Sequence, residues 1–214
     1  MSHKYGFESF ESQGLDALVD YYSAHPDSDA WNTLGPFKQR PTAAESIGVI
    51  ILARLTNRAV LLPMAMYSCS SAKGARFMDG WKRGDGSVEW LSDADIKHIV
   101  AGRDALRVRD TQDMLKLFGE VPVSSCSHKT RCNSAIISNY KSLAAKPGCL
   151  RGWPLTQDDK THRSMVSSDL CGACKSHAAT YAAEQRSQLL KDLPNIFGLA
   201  INGWGGSSPP SPFG

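Results

Sequence analysis

No stretch of this 214-residue sequence stays apolar long enough to cross a membrane. A span needs about 20 predominantly apolar residues. The most apolar run, IGVIILARLTNRAVLLPMAM at 47–66, is broken by Arg54, Asn57, Arg58 and Pro63, and predicts a pair of buried core helices instead. The first residues, MSHKYGFESFESQG, lack the apolar centre of a secretory signal, so no export is expected. An excess of one charge is missing too. Against 24 Lys and Arg stand 21 Asp and Glu, and a net +3 makes no case by itself for a nucleic-acid or membrane partner. The catalytic signatures G-x-S-x-G, G-x-x-x-x-G-K-[ST] and H-E-x-x-H are all absent. The acidic pairs Asp93/Asp95 and Asp158/Asp159 fall where helix capping and solvation account for them. There is no internal repeat.

What is present is 42% hydrophobic residues on a chain long enough for one sizeable core. Leu15, Leu18, Val19 and Tyr22 recur at helical spacing within 11–24, closed by His25-Pro26. After a loop with Gly35, Pro36 and Pro41, Thr42 and Glu45 form a capping box that starts a buried helix to about Leu55. Asn57 interrupts it, and Pro63 suits the first turn of a shorter helix ending near Cys69. Residues 71–90 are glycine-rich and predict a loop or short hairpin. Ser92 reads as the N-cap of a helix with Ile96, Ile99, Val100 and Leu106 on one face. The short run 111–118 fits helix or strand, 133–145 predicts a helix, and 147–169 reads as irregular. A last helix runs from about Asp169 to Leu193, where Pro194 is expected to stop it. The pattern is mostly α: an irregular helical bundle forming a single domain over 1–204, with halves at 1–120 and 121–204. The tail 205–214, rich in Gly, Ser and Pro, is expected to be disordered.

Six cysteines without an export signal point to an intracellular setting, cytoplasm or nucleus, and to reduced thiols or metal ligands. Two close pairs, Cys126/Cys132 and Cys171/Cys174, are separated by 38 residues. Four thiolates in two knuckles are the ligand set that structural zinc prefers. Such a four-cysteine site in the C-terminal half would close a long loop, and Lys129, Arg131 and Lys175 lie beside the ligands to offset its charge of about −2. A redox dithiol is the competing reading, but CGAC lacks the preceding strand of a thioredoxin-like motif. His128 and His162 are the alternative ligands. Cys69, on an apolar helix, and Cys149, in a loop, read as small hydrophobes, and His98 and His177 as packing or surface residues. Arg103 reads as half of a helix-end ion pair.

The segments HKYGFESFESQGLDAL, AESIGVIILARLTNRAVLLPMAMYSC, LSDADIKHIVAGRDAL, the paired cysteines and LPNIFGLAINGW occur in one order from about His3 to Trp204. That series resembles the region C-terminal to the BTB/POZ domain in basidiomycete fungal BTB-domain proteins, without the BTB/POZ fold itself. The resemblance implies a helical, zinc-knuckled body with Cys126, Cys132, Cys171 and Cys174 as ligands. Dimerisation and ligase recruitment, which belong to the BTB fold, do not transfer.

The resulting expectation is a non-enzymatic protein–protein interaction scaffold with a structural Zn2+ site, an unidentified protein partner, no membrane and no small-molecule substrate. Residues 71–90, with Trp81 and Trp90, are a candidate surface, unless the tryptophans fold back over the core. The alternative is a zinc-stabilised nucleic-acid-binding module acting in transcriptional regulation through SHKTRC. Its three cations, Lys129, Arg131 and Lys141, are few for phosphate binding, so a nucleic-acid partner is not expected. A metal-dependent hydrolase would need an open coordination position, which four thiolates close.

Overall fold

The computed structural model describes residues 8–22, 42–72, 76–145, 169–202 and 204. The loop around Gly35, Pro36 and Pro41, nearly all of the stretch 147–169, Cys149, His162 and the tail 205–214 lie outside them. Among the described residues the fold is mostly α: α1 (Glu8–Tyr22), α2 (Ala43–Leu55), α3 (Leu62–Ser70), α4 (Asp93–Glu120), α5 (Lys129–Ala144) and α6 (Gly172–Ile196), with a two-stranded ribbon, β1 (Trp81–Lys82) and β2 (Val88–Glu89). No helix among them is long and apolar enough to cross a membrane.

The residues fall into two compact units, one within 1–102 and 190–214, the other Arg103–Leu189. In the first, Thr42 and Glu45 close the expected capping box at the start of α2. The Glu45 N–H donates to Thr42 Oγ1 at 3.2 Å, and the Thr42 N–H to Glu45 Oε2 at 2.6 Å. Asn57 takes φ 54° just past α2, and the Arg58 N–H returns to the Ala53 carbonyl at 3.0 Å. Asn tolerates that left-handed turn better than most residues, which is why the apolar run breaks there. Pro63 sits in the first turn of α3, where its missing N–H costs no hydrogen bond. Every residue of α3 is buried, as are Tyr22, Ile47, Ile50, Leu61 and Phe77 of the same unit. Trp81 stacks so closely over Gly48 that a Cβ there would lie 2.9 Å from its ring, while Trp90 is 63% exposed. One tryptophan covers the core and the other does not.

Two further features hold this unit. Asp95 is both cap and counter-ion: its N–H and Oδ2 bond to Ser92 Oγ, and its Oδ1 accepts from Arg54 at 2.6 Å, an engagement beyond the capping expected of it. The end of α6 departs from expectation, because Pro194 lies inside the helix, which continues to Ile196. A proline at that position leaves the Leu190 carbonyl without its helical donor. The Trp204 indole N–H supplies one at 2.7 Å, so the helix passes the proline. It ends instead at Gly198 (φ 63°), with Leu199 N–H to Pro194 O at 2.8 Å and Gly198 N–H to Asn195 O at 3.0 Å, a Schellman closure. Phe197 lies against Gly102 of α4, where a Cβ would come within 2.2 Å of its ring. The glycine that opens GRDAL and the phenylalanine of LPNIFGL thus meet in one packing contact.

In the second unit the undecided run 111–118 is helix, the continuation of α4, which places Met114 and Leu117 on its buried side. Arg103 therefore lies within α4 and not at its end. A turn containing a cis Val121–Pro122 peptide leads to α5. That helix begins at Lys129, four residues before the expected start, and so includes Cys132.

Candidate metal centre

The core of the second unit gathers Met114, Leu117 and Val121 from α4 and its exit, Ala135 and Ile136 from α5, Ala178 and Tyr181 from α6, and four cysteines. Each Cys pair is laid out in one way: the first member sits in the loop before a helix, the second in the helix's opening turn. Cys126 precedes α5 and Cys132 lies in it; Cys171 precedes α6 and Cys174 lies in it. Cys171 acts as the N-cap of α6. Its carbonyl accepts from the Lys175 N–H at 3.0 Å, and its sulfur accepts the Cys174 N–H, the bond that a Ser or Asp oxygen makes elsewhere.

The four Sγ atoms lie within 4.8 Å of one another, and all four residues are buried. Cys126 and Cys171 come to 3.6 Å. Each sulfur also receives one backbone N–H: Cys126 from His128, Cys132 from Cys171 at 3.3 Å, Cys171 from Cys174, and Cys174 from Val123. Hydrogen bonds to sulfur favour the thiolate, whereas burial opposes it. The Cys174 N–H holds the Cys171 thiol down at about 6. Burial pushes Cys174 up to about 12 and raises Cys126 as well. Four sulfurs this close compete for one another's protons, and a cation among them is what lets all four ionise.

The donor set fits such an ion. Thiolates at about 2.3 Å from a tetrahedral centre stand about 3.8 Å apart, close to the Cys126–Cys171 separation. Cys126, Cys132, Cys171 and Cys174, the residues singled out by their spacing, are the ones brought together. His128 is exposed, its Nδ1 2.8 Å from Ser127 Oγ, and stands outside the group. Cys69 lies apart in the first unit, fully buried, its thiol donating to the Ala43 carbonyl at 3.4 Å, and burial pushes it up to about 12. The main-chain donors at Val123 and His128 carry no side-chain signal, so residue spacing does not reveal them.

Compared with protein-family models, curated proteins and solved structures, the chain matches none.

Proposed function

We propose that this chain is a non-enzymatic interaction module whose second unit is held together by structural zinc at Cys126, Cys132, Cys171 and Cys174. The observation that carries the reading is the buried set of four sulfurs within 4.8 Å, each with its own backbone N–H. Zinc suits it because soft thiolates in a tetrahedral set select that ion among common divalent metals, and because a shell of four thiolates leaves no position for substrate. The role is then mechanical: the ion clips the loop before α5 to the start of α6 and fixes what those helices present.

One other polar cluster among the described residues, beside Trp81 in the first unit, is used in packing and capping. Arg83 pairs with Glu89 at 3.1 Å and lies over the Trp81 ring, and Glu45 is used in the capping box. The groove of about 220 Å³ that these residues share with Val49, Ile51, Leu52 and Leu55 holds no free acid–base pair. The resemblance to the region following a fungal BTB domain agrees with a scaffold role and rests on the order of the sequence segments.

Elemental analysis and native mass of the purified chain test the reading. One zinc per chain, lost on Cys174→Ser, is expected. A stably folded protein free of metal, or a second exchangeable ligand on the ion, contradicts it.

A further inference from the structure

The four sulfurs of the cluster are not equivalent. Cys132 and Cys174 lie inside α5 and α6 with no accessible surface, whereas Cys126 and Cys171 keep 8% and 6% of theirs. Oxidation of a thiolate follows its exposure, so an oxidant arriving from solvent meets Cys126 and Cys171 first. These two come one from each pair, 45 residues apart in sequence, and their sulfurs stand 3.6 Å apart. A disulfide bond measures about 2.05 Å, so a further approach of about 1.6 Å joins them.

Backbone freedom falls on the same two residues. The Cys132 N–H is fixed to the His128 carbonyl at 2.9 Å at the start of α5, and Cys174 is held within α6. Cys126 sits in a turn, its N–H on the Val123 carbonyl at 3.0 Å, and Cys171 is the N-cap of α6. Neither lies inside a helix, so each can adjust while α5 and α6 stay intact.

We propose that Cys126 and Cys171 are a redox-sensitive pair that a hydroperoxide joins in a disulfide, closing the second unit covalently. One thiolate attacks a peroxide oxygen; the O–O bond breaks, hydroxide leaves and the sulfur carries a sulfenic acid. The other thiolate attacks that sulfur, the S–S bond forms and a second hydroxide leaves. Two electrons pass from the sulfurs to the peroxide, and two protons from solvent turn the hydroxides into water. The new bond spans the loop before α5 and the start of α6, the segments that the ion clips, so it takes over their closure. A bond within either pair, Cys126–Cys132 or Cys171–Cys174, would leave those segments untied. On the zinc reading, on which the inference rests for the reduced state, only Cys132 and Cys174 remain as ligands. That is half of the tetrahedral set, and the ion is released.

The test treats the full chain with hydrogen peroxide after its zinc content has been measured. A metallochromic dye follows released zinc, and free thiols are alkylated before tandem mass spectrometry. One Cys126–Cys171 link per zinc released is expected, with Cys132 and Cys174 alkylated, and dithiothreitol should return both thiols. Hydrogen exchange on the linked sample should show α5 still protected, unlike the reduced chain stripped by a chelator. A link within either pair or to Cys69 or Cys149, sulfinic or sulfonic acid in place of a link, or lost protection of α5 in the linked chain overturns the inference. A chain that holds zinc and gives no Cys126–Cys171 link under excess peroxide overturns the inference alone. A chain without zinc that forms the link supports the inference and overturns the zinc reading.

Discussion

The two units solve one problem with different means. The first buries a full set of large side chains: Tyr22, Tyr67, Phe77, Phe197 and a row of Ile, Leu and Met are nearly inaccessible. In the second, four of the fourteen buried apolar residues among those described are cysteines and two are alanines. A core so poor in apolar volume rarely holds by burial alone, and small bodies of this kind commonly depend on a metal or cross-link. On the proposed zinc reading, stability is apolar packing in one unit and coordination chemistry in the other, so each should fail under a different insult.

The largest effect is expected where coordination is broken. Cys171→Ser or Cys126→Ser should lower solubility and depress the melting temperature sharply, because metal-binding energy is folding energy, about 10 kcal/mol or more for structural zinc in small domains. Wild-type melting in either variant would erase the contrast. Next comes a packing insult to the first unit: Gly102→Ala drives a Cβ into the Phe197 ring and should cost about 1–3 kcal/mol in denaturant melts with zinc content unchanged. Adding Phe197→Leu should recover part of that cost.

Cys69 sharpens the contrast through pH. Its folded-state value lies above the ordinary 9.0, at about 12, because burial disfavours the thiolate. It therefore contributes stability that is fully present below pH 9 and lost as pH rises toward 12, by about 1.4 kcal/mol per unit. Urea melts from pH 9 upward should show a shallower decline in Cys69→Ala, a variant that costs only about 1 kcal/mol at neutral pH and keeps its metal. The smallest effect is at the end of α6. Trp204→Phe removes the indole N–H from the Leu190 carbonyl and should cost about 1 kcal/mol, read as faster amide exchange around Pro194.

Local chemistry made much of this legible beforehand. The capping box at Thr42, the break at Asn57, Pro63 in an opening turn and the four clustered thiols all depend on residues close in sequence or on a spacing that names its own ligand chemistry. What escaped depends on distant partners. Pro194 reads as a stop unless the indole of Trp204 is known to serve the orphaned carbonyl. Asp95 looks like a simple cap until Arg54, 41 residues away in sequence, is placed beside it. The short run 111–118 is ambiguous by period, and only its continuity with α4 and the burial of Met114 and Leu117 decide it.

Hydrogen exchange read segment by segment, before and after treatment with a zinc chelator, tests the central contrast most directly. Protection should collapse in α5 and the first turns of α6, around Cys132 and Cys174, while α2 and α3 keep theirs. Protection in α5 that the chelator leaves untouched, in a sample shown to have lost its metal, would contradict the account.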